Sequence, residues 1–215
     1  MKYTTVLFDL DGTLVDSGIG VTNSVAYALK KFGIEPPPRE ELFKFIGPPL
    51  TQSFSEFCGF DEENTTLAIK YYREYYSKQG ILECTAYDGA LELLKSLKEK
   101  GYRVGLATSK PEIYATRVAD IKFFTPYLDF LAAATTDEKT RATKEAVIEY
   151  ALELCGEADR SKVIMIGDRY FDINGAKAFG LASIGVTFGY GDRAELEAAG
   201  ADYIVDTVKE IDSIL

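Results

Sequence analysis

Asp9 and Asp11 sit two residues apart at the end of an apolar run, Val6-Leu7-Phe8. Side chains two apart on a strand share a face, so both carboxylates would be presented together. Gly12 ends the strand and lets backbone come close to a ligand. Thr13 and Ser17 add hydroxyls around the turn, and Ser17 suits the N-cap of a following helix. Paired carboxylates at a strand end, beside a flexible turn, suit Mg²⁺ binding and nucleophilic attack by a carboxylate oxygen.

Two further segments carry related chemistry. Gly167-Asp168 follows the apolar run 163–166, with Asp172 four residues later. Thr108-Ser109-Lys110 follows Gly105-Leu106-Ala107 and supplies hydroxyls at another strand end. Lys110 reads as a surface or salt-bridge lysine, with a place beside the site as the second reading. Histidine is absent, which excludes phosphohistidine intermediates, His-based triads and His-ligated zinc. Proton transfer is left to carboxylates, Lys, Tyr or metal-bound water.

The elements that must position these groups fall into two kinds. Residues 17–32 read as an amphipathic helix with Val21, Val25, Leu29 and Phe32 on one face, stopped by Gly33. After Pro36-Pro37-Pro38 come helical stretches at 39–45, 50–57 and 62–78, and nothing from 17 to 80 reads as a strand. From Tyr87 helices and strands alternate: Asp88-Gly89 opens a helix with Leu91, Leu94 and Leu97 on one face, closed by Lys100-Gly101, then come strands over 103–107, 130–133, 163–166, 182–186 and 203–205 and helices over 112–121, 143–154 and 172–179. Near-continuous apolar strands in such an alternation predict a parallel sheet covered on both faces. The chain therefore reads as an α/β core of residues 1–16 and 83–215, interrupted by an all-helical insert over 17–82. In such sheets ligands bind beyond the carboxyl ends of the strands, where the carboxylates and hydroxyls fall.

Bulk properties narrow the class. The chain has 215 residues and a net charge of −10, with no basic stripe, so nucleic-acid polymers are not expected partners. An acidic surface attracts anions poorly, so phosphate binding would rely on local cations and a metal. Three scattered cysteines without a CxxC pair read as free thiols. The absence of a signal peptide and of a membrane-length apolar stretch predicts a cytoplasmic protein with no membrane role.

The segment Asp9-Leu10-Asp11-Gly12-Thr13-Leu14-Val15-Asp16 resembles motif I of the haloacid dehalogenase superfamily. The resemblance implies that Asp9 attacks phosphorus to form an aspartyl-phosphate and that Asp11 is the general acid/base. Thr108 and Ser109 resemble motif II, where a hydroxyl and backbone N–H groups bind phosphoryl oxygens; Ser109 would offer its N–H at a helix start. Lys139, Arg141 and Lys144 are candidates for the motif III cation; Lys144 is taken first and Arg141 second. Gly167-Asp168 with Asp172 resembles motif IV. Mg²⁺ would then be held by the Asp9 side chain, the Asp11 backbone carbonyl and Asp168, while Asp172 holds a metal-bound water or orients Lys144.

The resemblance extends to the phosphoglycolate-phosphatase-like branch, whose α-helical cap is inserted after motif I into a Rossmann-like core. Lys44, Phe45, Gly47 and the tyrosines from Tyr71 to Tyr76 are candidates to line a cap, although such tyrosines more often serve plain helix packing. The stretch from Arg141 through Lys144 lacks the Lys-Pro usual in phosphoglycolate phosphatases and resembles the 5′-nucleotidases more. The implied activity is Mg²⁺-dependent hydrolysis of a small phosphorylated metabolite, a 5′-nucleotide first, by a monomer or small homo-oligomer. Phosphoglycolate phosphatase, sugar phosphomutase, and a non-catalytic phospho-switch or partner-binding fold are the alternatives.

Overall fold

The computed structural model describes residues 2–137 and 140–215; Lys139, one of the candidate cations, lies outside the described residues. The strands in chain order are β1 (Thr5–Phe8), β2 (Val15–Asp16), β3 (Thr85–Ala86), β4 (Arg103–Pro111), β5 (Phe130–Ala134), β6 (Val163–Gly167), β7 (Ala182–Val186) and β8 (Tyr203–Val205). Six of them form one sheet in the order β5-β4-β1-β6-β7-β8, and every pairing in it is parallel. β2 and β3, where the chain leaves and re-enters this sequence, form a separate two-stranded sheet.

The sheet is parallel because its strands are apolar on both faces. Leu7, Ala107, Val163 and Met165 share one buried cluster with Val147, Ile148, Ala151 and Leu152. Val6, Phe8, Leu106 and Ile164 alternate with them and are equally buried, so the opposite face is covered too. The chain up to Asp16 together with Ala86–Leu215 forms one compact unit, and Ser17–Thr85 forms a second.

The second unit holds α1 (Gly18–Lys31), α2 (Arg39–Leu42), α3 (Leu50–Cys58) and α4 (Glu62–Tyr76). Its interior is aromatic: Phe45 meets Phe54 and Phe57 edge-on at 5.3 Å, and Tyr72 stacks on Tyr76 at 5.4 Å. Phe45, Tyr72 and Tyr76 are therefore packing residues and line no surface. Tyr71 packs edge-on against Phe32, and Tyr75 donates to Glu83 at 3.0 Å. Ser17 does stand at the N-cap of α1, but its side chain makes no capping bond, and its buried hydroxyl has no hydrogen-bond partner.

The first unit adds α5 (Ala90–Glu99), α6 (Glu112–Ile121), α7 (Lys144–Cys155), α8 (Tyr170–Ala178), α9 (Arg193–Ala199) and α10 (Val208–Ile214). α9 and α10 were not anticipated; each is only seven residues, too short for a clear period. No described helix is long and apolar enough to cross a membrane.

Candidate active site

Strand register sets the site. Phe8 is level with Leu106 on one side and Ile166 on the other, and the Asp9 amide continues the ladder by donating to the Ile166 carbonyl at 2.9 Å. Asp9, Thr108 and Asp168 therefore leave three adjacent strands close to one level. The chain runs outward to both sides from β1, the arrangement that opens a crevice at the carboxyl edge.

Lys144 is the hub of this crevice. The inward stripe of α7 runs Lys144, Val147, Ile148, Ala151, Leu152 and Cys155, a helical period that carries a lysine at its first position. Thr143 caps the helix by accepting from the Ala146 amide at 3.2 Å, and Gly156 ends it in the left-handed region. The Lys144 ammonium lies 2.8 Å from Asp9 Oδ1 and 2.8 Å from Asp172 Oδ1, and donates to the Ala107 carbonyl at 3.0 Å. Asp9 and the Ala107 carbonyl accept hydrogen bonds from it, and Asp172 pairs with it as an opposite charge. Burial pulls its pKa down, but the Asp172 and Asp9 charges and hydrogen bonds outweigh that, and the net direction is up.

Asp172 is held on both oxygens. Oδ1 pairs with Lys144, and Oδ2 accepts from the Arg169 amide at 3.1 Å, which also fixes the start of α8. The geometry favours the reading in which Asp172 orients Lys144. Arg141 is engaged elsewhere: its Nε donates to the Ala133 carbonyl at 2.9 Å, and its guanidinium lies 4.1 Å from the Tyr150 ring centre. Arg141 precedes the Thr143 cap and lies outside α7, whereas Lys144 is the first residue of the helix.

Asp168 is fully buried in a cradle of backbone. Its Oδ2 accepts from the Tyr190 amide at 2.8 Å, and Oδ1 is 3.4 Å from the Thr13 hydroxyl. A Cβ on Gly12, whose φ is +87°, would fall 2.1 Å from Asp168 Oδ2, so only glycine fits there. The loop after β7, Phe188-Gly189-Tyr190-Gly191, closes the other side. Sequence reasoning passed over it, although two glycines just beyond a strand's carboxyl end were the available signal.

Carboxylate oxygens of Asp9, Asp168 and Asp172 all lie within 4.8 Å of one another. Three acids against one ammonium leave an excess negative charge of two in a buried space. The titration behaviour follows. Burial, then Asp172, and Asp11 more weakly, raise Asp9 from 3.8 to about 6 against the opposing pull of Lys144. Burial, then Asp172 and Asp9, push Asp168 well above the usual carboxylate range. A divalent cation held by hard oxygen donors would offset this charge, and Mg²⁺ fits a set with few carboxylates and open positions. Asp9, Asp168 and Asp172 are the carboxylates this arrangement brings within reach of one ion.

Asp11 stands apart from that cluster. Lys110 Nζ lies 2.9 and 2.7 Å from its two carboxylate oxygens, and both side chains are largely buried. Lys110 is thus a salt-bridge lysine whose partner, Asp11, also makes it a neighbour of the site. Its signal was its place two residues beyond Thr108 on an extended segment.

Thr108 is buried and its Oγ1 accepts from the Lys110 amide at 3.2 Å. That acceptor role leaves the hydroxyl hydrogen to be donated, the polarity a phosphoryl oxygen needs. Ser109 departs from expectation. β4 continues through it to Pro111, with a shift of register against β5 after Thr108, and α6 begins only at Glu112. Its amide therefore lies within an irregular strand end and not at a helix start.

Comparison with known proteins shows the family of the chain. Residues 6–186 match the family described as haloacid dehalogenase-like hydrolase. The chain is 40% identical over 198 residues to a 5′-nucleotidase of Pseudomonas aeruginosa, covering 92% of this chain and 89% of that protein. It is 33% identical to the tyrosine-protein kinase PtkA of Mycobacterium tuberculosis, covering 97% of this chain and 70% of the kinase. A predicted phosphatase from Clostridium acetobutylicum superposes with a TM-score of 0.95 at 45% identity, covering 100% and 98% of the two chains.

Proposed function

We propose, for a chain that belongs to the haloacid dehalogenase-like hydrolase family and is a phosphatase, that it hydrolyses small phosphate monoesters through an aspartyl-phosphate on Asp9, with Mg²⁺ as cofactor. The observation that carries this reading is Asp9 itself: a buried carboxylate held by Lys144 through one oxygen, beside a second buried acid, Asp168. Its other oxygen is the one to attack.

Asp9 attacks the phosphorus in line and the ester oxygen leaves. Asp11 gives that oxygen a proton, then takes one from the water that cleaves the aspartyl-phosphate. Thr108 donates its hydroxyl to a phosphoryl oxygen, and Lys144 balances charge beside the reacting group. Mg²⁺, held by Asp9, the Asp11 backbone carbonyl and Asp168, would supply charge neutralisation and orientation of the phosphoryl group. Asp172 keeps Lys144 in register.

A 5′-nucleotide is the first substrate to test. The support is the name of the Pseudomonas aeruginosa relative together with the Arg141-to-Lys144 stretch that resembles such enzymes. The experiment is a panel of phosphorylated metabolites assayed with Mg²⁺, wild type against Asp9→Asn. Phosphate release by wild type alone supports the reading, with nucleotides hydrolysed fastest. Equal activity in Asp9→Asn removes Asp9 as nucleophile. Fastest turnover of phosphoglycolate, or isomerisation of a sugar phosphate without phosphate release, replaces the substrate class.

A further inference from the structure

Two lysines serve the two acids of motif I separately. Lys144 holds Asp9 within the three-carboxylate cluster, whereas Lys110 holds Asp11 outside it. The second contact is the tighter in form. The ammonium reaches both oxygens of one carboxylate, at 2.9 and 2.7 Å, with side-chain exposures of only 6% and 14%. A lysine that straddles both oxygens of a largely buried acid fixes the carboxylate plane as well as its position. Asp11 leaves the chain at Gly12, whose φ of +87° marks a turn and not a strand, so its own backbone does not hold the side chain in line with Asp9.

Lys110 is also tied to the phosphate-binding hydroxyl. Its amide donates to Thr108 Oγ1 at 3.2 Å, so one extended segment fixes a donor for the phosphoryl oxygens and the cation on the proton donor. The distance between where the phosphoryl group is gripped and where its ester oxygen is protonated is thereby set by two residues of backbone.

We infer that Lys110 is a positioning residue for Asp11, fixing its carboxyl where the ester oxygen departs. The inference rests on the phosphatase reading above. Its chemical consequence is selective. An alkyl ester leaves as a strongly basic alkoxide and needs the proton from Asp11 as its bond to phosphorus breaks. A p-nitrophenolate carries its own negative charge away and needs little help. Misplacing a proton donor by about 1 Å costs on the order of 10²-fold, and only the substrate that needs the proton feels it.

The test compares kcat/KM for p-nitrophenyl phosphate and for the best alkyl monophosphate of the panel, in wild type, Lys110→Met and Lys110→Arg. This constant covers steps up to departure of the leaving group, so it isolates the step in which Asp11 donates. Lys110→Met is expected to lower the alkyl ester at least about tenfold further than the aryl ester. Lys110→Arg, whose fork can also take both carboxylate oxygens, should restore much of the alkyl rate. An equal fall for both esters would assign Lys110 to holding the strand end, and no fall would remove it from the site. Either result overturns the inference, as does a wild type that cleaves the aryl ester and no alkyl ester. A wild type inert toward both, or an Asp9→Asn variant that keeps activity, would instead overturn the phosphatase reading.

Discussion

Metal-free protein should lose stability as pH rises from about 4 to about 6, and Mg²⁺ should restore it. Asp9 is lifted from 3.8 to about 6, by burial first and by Asp172 among its neighbours. A group whose pKa is higher folded than unfolded binds its proton more tightly in the folded state. Below the unfolded value both states are protonated and nothing is lost; above the folded value the full penalty applies. The lift corresponds to about 3 kcal/mol at neutral pH, and Asp168 adds to it in the same direction. For a chain of this size that is about 6–12 °C in Tm. The assay is thermal unfolding in EDTA and in Mg²⁺ at about pH 5 and about pH 7.5 for wild type and Asp9→Asn. Wild type in EDTA should fall further than Asp9→Asn across this range, and Mg²⁺ should raise its Tm more at the higher pH, because bound carboxylates must be deprotonated. An Mg²⁺ shift no larger at pH 7.5 than at pH 5, or parallel falls for the two proteins, would refute the reasoning.

Other substitutions test other parts of the site. Lys144→Met should cut kcat on the order of 10²–10³-fold and destabilise the metal-free protein at neutral pH by about 3–5 kcal/mol; activity within tenfold of wild type would remove Lys144 from the reaction. Gly12→Ala should abolish Mg²⁺-dependent activity, because the new methyl would meet Asp168 Oδ2 at 2.1 Å; calorimetry showing wild-type Mg²⁺ affinity would show that the cradle yields. Phe123 is 72% exposed with φ at 60°, a conformation costly for a bulky residue. Phe123→Gly should raise Tm by a few degrees, about 1 kcal/mol, and a lower Tm would mean that the exposed ring is bound.

The features legible in the sequence were those written in local pattern. Apolar runs ending at Phe8 and Ile166 marked strands of a parallel sheet, and the carboxylates just beyond them could be placed on one sheet edge. The apolar period of α7 put Lys144 at the opening of a helix, where the structure has it. What failed depended on contacts distant in sequence. Nothing local says that β4 runs on to Pro111, because that extension is set by pairing with β5. Nothing near Asp168 shows that Gly189 and Tyr190 close over it from 22 residues away. The reach of Lys110 across 99 residues to Asp11 is of the same kind. For the tyrosines of α4 the commoner reading of such a run, helix packing, holds at Tyr72 and Tyr76, which are buried and stacked on each other.

The central claim is that Asp9 carries the phosphoryl group. It is tested most directly by quenching Asp11→Asn with acid during turnover of p-nitrophenyl phosphate, then locating the phosphoryl group by borohydride reduction and mass spectrometry. The account predicts one phosphoryl group per chain, on Asp9, absent from an Asp9→Asn control. A phosphoryl group on any other residue, or continued turnover in Asp9→Asn, would contradict it.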